Sequence, residues 1–313
     1  MANRRMNDGP NDAEARKLRR QWRKTVYVIP SAITTANIFC GFFSAMESML
    51  GAQALAVGDI AEATDHFNRA AINIGFSTLF DFLDGSIARL TGATSEFGIE
   101  LDSIADVLSF GIAPALLAFA WGYGQVPGLH KIGWAASFIF VICGALRLAR
   151  FNVLARHPKT NLPPKSPKDK KAFVGMPIPA GASMLAAIVH FSPTPIVYKS
   201  VFEISAFGKQ LPIDARAYAL AQLALMFCLA MLMISTIRYS SMKNLGASGY
   251  HPRVIVLALA LTVMVIWFYS DWALLVIATV YASHGVIAKI WSMLRPRRSS
   301  ENSELELDSK PQT

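Results

Sequence analysis

Charge is scarce in this sequence. Asp, Glu, Lys and Arg make up 16% of its 313 residues, against 53% hydrophobic. That balance excludes an ordinary soluble domain, whose surface needs far more charge. Cysteine is scarce too. Cys40, Cys143 and Cys228 each fall inside an apolar run, with no metal-ligand spacing between them. A disulfide framework and a zinc site are therefore both set aside, and the three read as small helix-packing residues. No internal repeat is visible. A cleavable signal-peptide pattern is also lacking, because the start is long, polar and charged with both signs. The net charge of +9 is spread over loops that flank apolar runs, not gathered on one basic face. It reads as membrane topology and contact with membrane lipids, with no nucleic-acid partner.

What the chain has in quantity is long apolar runs. Several reach the length needed to cross a bilayer, about 18–22 residues. They predict an all-α, polytopic transmembrane helix bundle of about eight spans. The first runs from Ile29 to Leu50, with Pro30 suited to a helix start. The second begins near Arg69, after an outer loop that carries Asp59, Glu62 and Asp65 but no Lys or Arg. The others are Gly98–Trp121, Trp134–Asn152, Gly175–Phe191, Arg216–Ile237, Val254–Tyr269 and Trp272–Trp291. A basic arm precedes the first span, and a strongly basic loop, Arg156 to Lys171, comes after the fourth. Excess Lys and Arg on one side fits both termini in the cytoplasm. We expect a bacterial inner membrane. The domain reading is 1–25 basic arm, 26–245 membrane core, 246–298 two further spans, and 299–313 disordered polar tail. Trp121, Trp134, Tyr269, Trp272 and Trp291 read as interfacial belt residues, Glu47 as reaching the headgroups, and His190 and His284 as packed or interfacial.

Four aspartates interrupt this apolar background. Asp81 and Asp84 are i,i+3 neighbours near the end of the second span; Asp102 and Asp106 are i,i+4 neighbours in the third. Each pair shares a helix face, and the short turn between Leu90 and Phe97 lets the pairs converge. Ionisable groups at membrane depth are expensive, and their default reading is functional. Four crowded carboxylates need their charge cancelled. Hard divalent cations, Mg²⁺ or Mn²⁺, prefer such oxygen ligands. Four carboxylates balance two ions, and a two-metal site suits phosphoryl chemistry. Gly85, Ala88 and Gly98 leave room for close approach, and Arg89 can pair with a phosphate.

The full pattern, D-x-x-D-G-x-x-A-R-x8-G-x-x-x-D-x-x-x-D over residues 81–106, resembles the signature of the CDP-alcohol phosphotransferases, with every fixed position filled. Further blocks resemble the membrane-type phosphatidylserine synthases within that family. They are Ile29-Pro30-Ser31, Ser109-Phe110-Gly111, Arg147-Leu-Ala-Arg150-Phe151-Asn152, Phe173-Val-Gly175-Met-Pro177-Ile-Pro179 and Arg238-Tyr239. Ser31 departs from the pattern, where many relatives carry Asn.

The resemblance implies an integral membrane enzyme that joins CDP-diacylglycerol and L-serine and releases CMP. It also implies six core spans around a cytoplasm-facing cavity, and a homodimer. Asp81, Asp84, Asp102 and Asp106 would hold two divalent cations, with Asp106 also the general base. Arg89 would grip the pyrophosphate. Gly85, Ala88 and Gly98 would admit the cytidine portion. An arginine suits the serine carboxylate. Arg147 and Arg150 are candidates, with Asn152 and Arg238 behind them, and each reads equally well as a snorkelling helix-end anchor. Other acceptors of the same family, glycerol phosphate or choline, stay open. A cation transporter is the competing class, but the aspartates cluster on one side and make no path across the membrane.

Overall fold

The computed structural model of the chain describes residues 10–91, 96–156, 172–198, 202–206, 209–240 and 269–294. The expected helix bundle is what the sequence builds. Its helices are α1 (Pro10–Ala56), α2 (Ile60–Thr91), α3 (Glu96–Asp106), α4 (Ala113–Trp121), α5 (His130–Arg156), α6 (Ile178–Phe191), α7 (Ala215–Ile234) and α8 (Ser270–Leu294). Among the described residues, six helical segments are long and apolar enough to cross a membrane, and the chain is a multi-pass membrane protein. Of the eight expected spans, α2 is not among those six. Asn68, Arg69, Asn73, Asp81 and Asp84 dilute its apolar character, although at 32 residues it has ample length. The seventh expected span, and the polar tail from Ser299, lie outside the described residues.

Three readings differ from expectation. Pro30 falls inside α1 instead of starting it. A proline there loses one backbone hydrogen bond, a loss transmembrane helices tolerate, and the apolar span itself begins at Ser31. The expected outer loop before Asn68 is mostly helix. Asp59 caps α2 by accepting the Glu62 backbone N–H at 2.9 Å, and Gly58 turns the chain at φ 83°, so the connection shrinks to a tight helical hairpin. Trp121 is fully buried, its indole N–H donating to the Thr194 carbonyl at 3.0 Å, so it is a core residue and not part of a belt. Trp134, Tyr269, Trp272 and Trp291 are all exposed, as interfacial residues should be.

Two small antiparallel sheets were not foreseen. β1 (Ala172–Val174) and β4 (Arg238–Ser240) pair with Phe173 opposite Tyr239, while β2 (Phe202–Ala206) and β3 (Lys209–Ile213) form a hairpin. The first sheet joins two blocks far apart in sequence. It is closed by Gly175, at φ 81°, whose N–H donates to the Ile237 carbonyl at 2.9 Å.

One face of α1 organises the core. Thr34, Asn37, Ser44 and Ser48 are buried there, each at most 2% exposed. With Gly41 they form a stripe of small and polar residues, the surface that lets transmembrane helices approach closely. A Cβ at Gly41 would run into Ser109. Ser109 belongs to a π-helical segment, Val107–Ile112, that joins α3 to α4. The hydroxyls of Ser77 and Ser109 both donate to the Asn37 carbonyl, at 3.0 and 3.1 Å. Thus α1 braces α2 and the π segment at one level. Glu47 is likewise turned inward: it pairs with His66 of α2 at 2.6 Å and is 5% exposed, contrary to the expected headgroup contact.

Candidate active site

The α2 and α3 helices bring their aspartates together. One carboxylate oxygen each from Asp81, Asp102 and Asp106 lies within 4.8 Å of the others, and all three residues are half-buried. If all three were ionised, each pair at that spacing would repel by about 3 kcal/mol at an effective dielectric of about 20. Such a cluster fits a bound cation. Its donors are all hard oxygens, the set preferred by Mg²⁺, Mn²⁺ and Ca²⁺. The Oδ1 atoms of Asp106 and Asp84 are buried without a hydrogen-bond partner, leaving lone pairs for a ligand.

Asp84 stands apart from the three. It is buried, and the Thr34 hydroxyl of α1 donates to its Oδ2. Its charge still reaches Asp81 and Asp102 electrostatically. Thr34 is a residue that the motif reading missed. The available signal was its spacing from Asn37 and Gly41 on one face of α1.

The other expected residues divide. Arg147 of α5 lies within electrostatic reach of Asp106. Its Nε is buried and unpartnered, and among the described residues it closes no ion pair. Arg150, one turn on, is exposed. Asn152 donates from Nδ2 to the Ser103 hydroxyl at 2.8 Å, which ties α5 to α3 beside Asp102. Gly85 and Gly98 are half-buried on α2 and α3. The side chains of Ala88, Arg89 and Arg238 lie outside the described residues.

Asp106 ends α3, and the π segment begins at the next residue. A π turn inserts one residue into the helix and rotates the residues beyond it, and such turns recur at functional sites. Here it presents Ser109 to α1 while Asp106 joins Asp81 and Asp102. The result is a compact acidic centre with the Arg147 guanidinium in electrostatic reach of Asp106, suited to holding cations and an anionic substrate together.

Comparison with known proteins agrees with this geometry. The family model for CDP-alcohol phosphatidyltransferase matches residues 27–209. A CDP-diacylglycerol–serine O-phosphatidyltransferase of Helicobacter pylori is 31% identical over 271 residues, covering 86% of this chain and 94% of that protein. An enzyme of the same name from Methanocaldococcus jannaschii is 46% identical over 112 residues, 36% of this chain and 46% of its own. The archaetidylserine synthase of Methanothermobacter thermautotrophicus is 30% identical over 222 residues, 70% of this chain and 72% of that one. The chain belongs to the CDP-alcohol phosphatidyltransferase family.

Proposed function

We propose that this protein transfers the phosphatidyl group of CDP-diacylglycerol to L-serine, giving phosphatidylserine and CMP. The observation that carries the reading is the convergence of Asp81, Asp102 and Asp106, with Arg147, whose buried Nε has no hydrogen-bond partner among the described residues, in electrostatic reach of Asp106. The serine acceptor is supported by the names of the relatives, two of which act on serine and align over most of their length.

Asp81, Asp84, Asp102 and Asp106 hold two divalent cations, Mg²⁺ or Mn²⁺. When bound, these cations cancel carboxylate and pyrophosphate charge and stabilise charge that develops during phosphoryl transfer. Asp106 accepts the proton of the serine hydroxyl as its oxygen attacks. A carboxylate is a weak base for an alcohol, so transfer accompanies attack and does not precede it. The new bond joins the serine oxygen to the phosphorus that carries diacylglycerol. The bond from that phosphorus to the CMP oxygen breaks, and CMP leaves with the electron pair. Arg147 holds the serine carboxylate, its planar fork suited to two parallel hydrogen bonds. Arg89 grips the donor's pyrophosphate, and Gly85, Ala88 and Gly98 admit the cytidine. Arg150, Asn152 and Arg238 line the acceptor end. For Asn152 the bond to Ser103 makes this a role through α3.

The site faces the cytoplasm of a bacterial inner membrane with both termini inside, a reading that the excess of Lys and Arg in the flanking loops supports. Residues 26–245 form the catalytic core, and a homodimer is the assembly that the family implies. The test is CMP release by purified protein with CDP-diacylglycerol and Mn²⁺, offered serine, glycerol 3-phosphate or choline. Serine-dependent release with phosphatidylserine as product is expected. Release with another acceptor keeps the transferase and removes serine. Metal-dependent ion flux in vesicles without any CMP release would instead favour a transporter.

A further inference from the structure

Asp81 stands on α2 and Asp102 and Asp106 on α3, yet one oxygen of each lies within 4.8 Å of the others. Among the described residues, α3 packs along α1 and makes little contact with α2. Like charges at that spacing push α2 and α3 apart when no cation is bound. A third body must therefore set their separation, and the hydrogen bonds point to α1.

The Asn37 carbonyl of α1 accepts two hydroxyls at once, from Ser77 of α2 at 3.0 Å and from Ser109 of the π segment at 3.1 Å. Ser77 precedes Asp81 by four residues and shares its helix face; Ser109 follows Asp106 by three. Each hydroxyl is thus about one helical turn, about 5 Å of axis, from its aspartate. Because both bonds end on one oxygen, the stretches that carry Asp81 and Asp106 are referred to a single point. That point is dry. Ser77 and Ser109 are fully buried and Asn37 is 1% exposed, so water cannot readily replace either bond. One turn further along α1, Gly41 admits the Ser109 backbone: a Cβ there would lie 2.6 Å from the Ser109 Cα. One turn back, Thr34 holds Asp84.

We propose that Ser77 and Ser109 are positioning residues. Clamped on the Asn37 carbonyl, they set the spacing of Asp81 from Asp106 and thereby which divalent cation the acidic centre prefers. This rests on the reading above that the aspartates hold divalent cations. Spacing decides preference because the ions differ in size. Opposite oxygen ligands stand about 4 Å apart around Mg²⁺ and about 5 Å around Ca²⁺, and Mg²⁺ tolerates little departure from its octahedron. Loosening by less than about 1 Å therefore costs the small ion more than the large one.

The test is Mn²⁺ binding by full-length protein in detergent with lipid, followed by electron paramagnetic resonance, and displacement of the Mn²⁺ by Mg²⁺ or Ca²⁺. Neither donor nor acceptor is needed. Wild type is compared with Ser77→Ala, Ser109→Ala, the two together, and Ser44→Ala. Ser44 is a buried α1 serine whose hydroxyl has no hydrogen-bond partner among the described residues, so it controls for loss of a buried hydroxyl. Each clamp variant should raise the Kd for Mn²⁺ about fivefold, the worth of one neutral hydrogen bond. Each should also shift the displacement ratio toward Ca²⁺ by about threefold or more. Either loss opens the clamp, so the double variant should bind about as weakly as either single one. Ser44→Ala should match wild type. Single variants within about twofold of wild type, effects that multiply in the double variant, a lowered Tm with an unchanged displacement ratio, or the same shift in Ser44→Ala would each overturn the clamp. Should the double variant fail to fold, affinity and displacement ratio in the single variants decide. Wild type that binds no Mn²⁺ removes the cation reading of the site and the clamp with it, whereas wild-type binding with indifferent serine variants removes only the clamp.

Discussion

Replacing Thr34 with valine isolates the contribution of α1 to the acidic centre. Thr34 and Asp84 are 2% and 7% exposed, so water cannot readily substitute for a lost hydroxyl. Asp84 Oδ1 already lacks a hydrogen-bond partner, and the Thr34 hydroxyl holds the other oxygen. Valine nearly conserves the shape and leaves the carboxylate unheld. A hydrogen bond to a charged group contributes about 1.5–3 kcal/mol, which is about ten- to hundredfold in an equilibrium constant. Supporting bonds to metal ligands carry effects of similar size on metal affinity. We therefore expect Thr34→Val to raise the half-saturating Mn²⁺ concentration about tenfold or more. The shift should show both in CMP release and in direct Mn²⁺ binding measured by electron paramagnetic resonance. Thr34→Ser, which keeps the hydroxyl, should stay near wild type. Unchanged Mn²⁺ binding in Thr34→Val would refute the assignment of Asp84 as a held ligand.

Gly41→Ala places a methyl group where Ser109 sits; overpacking of this kind costs about 1–3 kcal/mol, and a lower Tm in detergent with reduced CMP release is expected, whereas a Tm equal to wild type would contradict the close approach of α1 and the π segment. Gly175→Ala forces a side chain into φ 81° and against the Met233 carbonyl. The backbone alone accounts for about 1–2 kcal/mol, so protease resistance of the β1–β4 region should fall, and an unaltered digestion pattern would count against that turn. Chelation by EDTA should abolish CMP release without changing the helical circular dichroism, and added Mn²⁺ or Mg²⁺ should restore it; activity that survives chelation would refute the cation requirement.

Most of the acidic centre was legible, because helix periodicity puts Asp81 with Asp84 and Asp102 with Asp106 on shared faces and a short turn lets the pairs converge; that Asp84 stands apart on Thr34 was not. The spans were legible from their apolar length. The bracing around them was not. Thr34 and Asn37 read as ordinary polar residues in an apolar run, and only the packing of α1 on α2 and the π segment turns them inward. The π segment leaves no mark in a sequence such as Val107-Leu-Ser-Phe-Gly-Ile112, whose composition suits an α-helix equally well. The pairing of Phe173 with Tyr239 joins residues far apart in the chain, and no local pattern announces it. The polar stretch from Asp59 to Asn68 reads as a loop from its charge. Its helical state depends on one capping carboxylate and on Glu47, which pairs with His66 from the neighbouring helix. Arg150 and Arg147 are indistinguishable by spacing. The structure separates them, because Arg147 is half-buried within electrostatic reach of Asp106 and Arg150 is exposed.

The most direct measurement is serine-dependent CMP release by Asp106→Asn beside wild type, with Mn²⁺, CDP-diacylglycerol and matched Tm values. Asparagine keeps the shape and removes the base. Wild type should form phosphatidylserine, and the variant should fall by about 10²–10⁴-fold, the contribution of a positioned general base. A folded Asp106→Asn protein that retains wild-type turnover would contradict the account, because the acidic centre would then not be where the chemistry occurs.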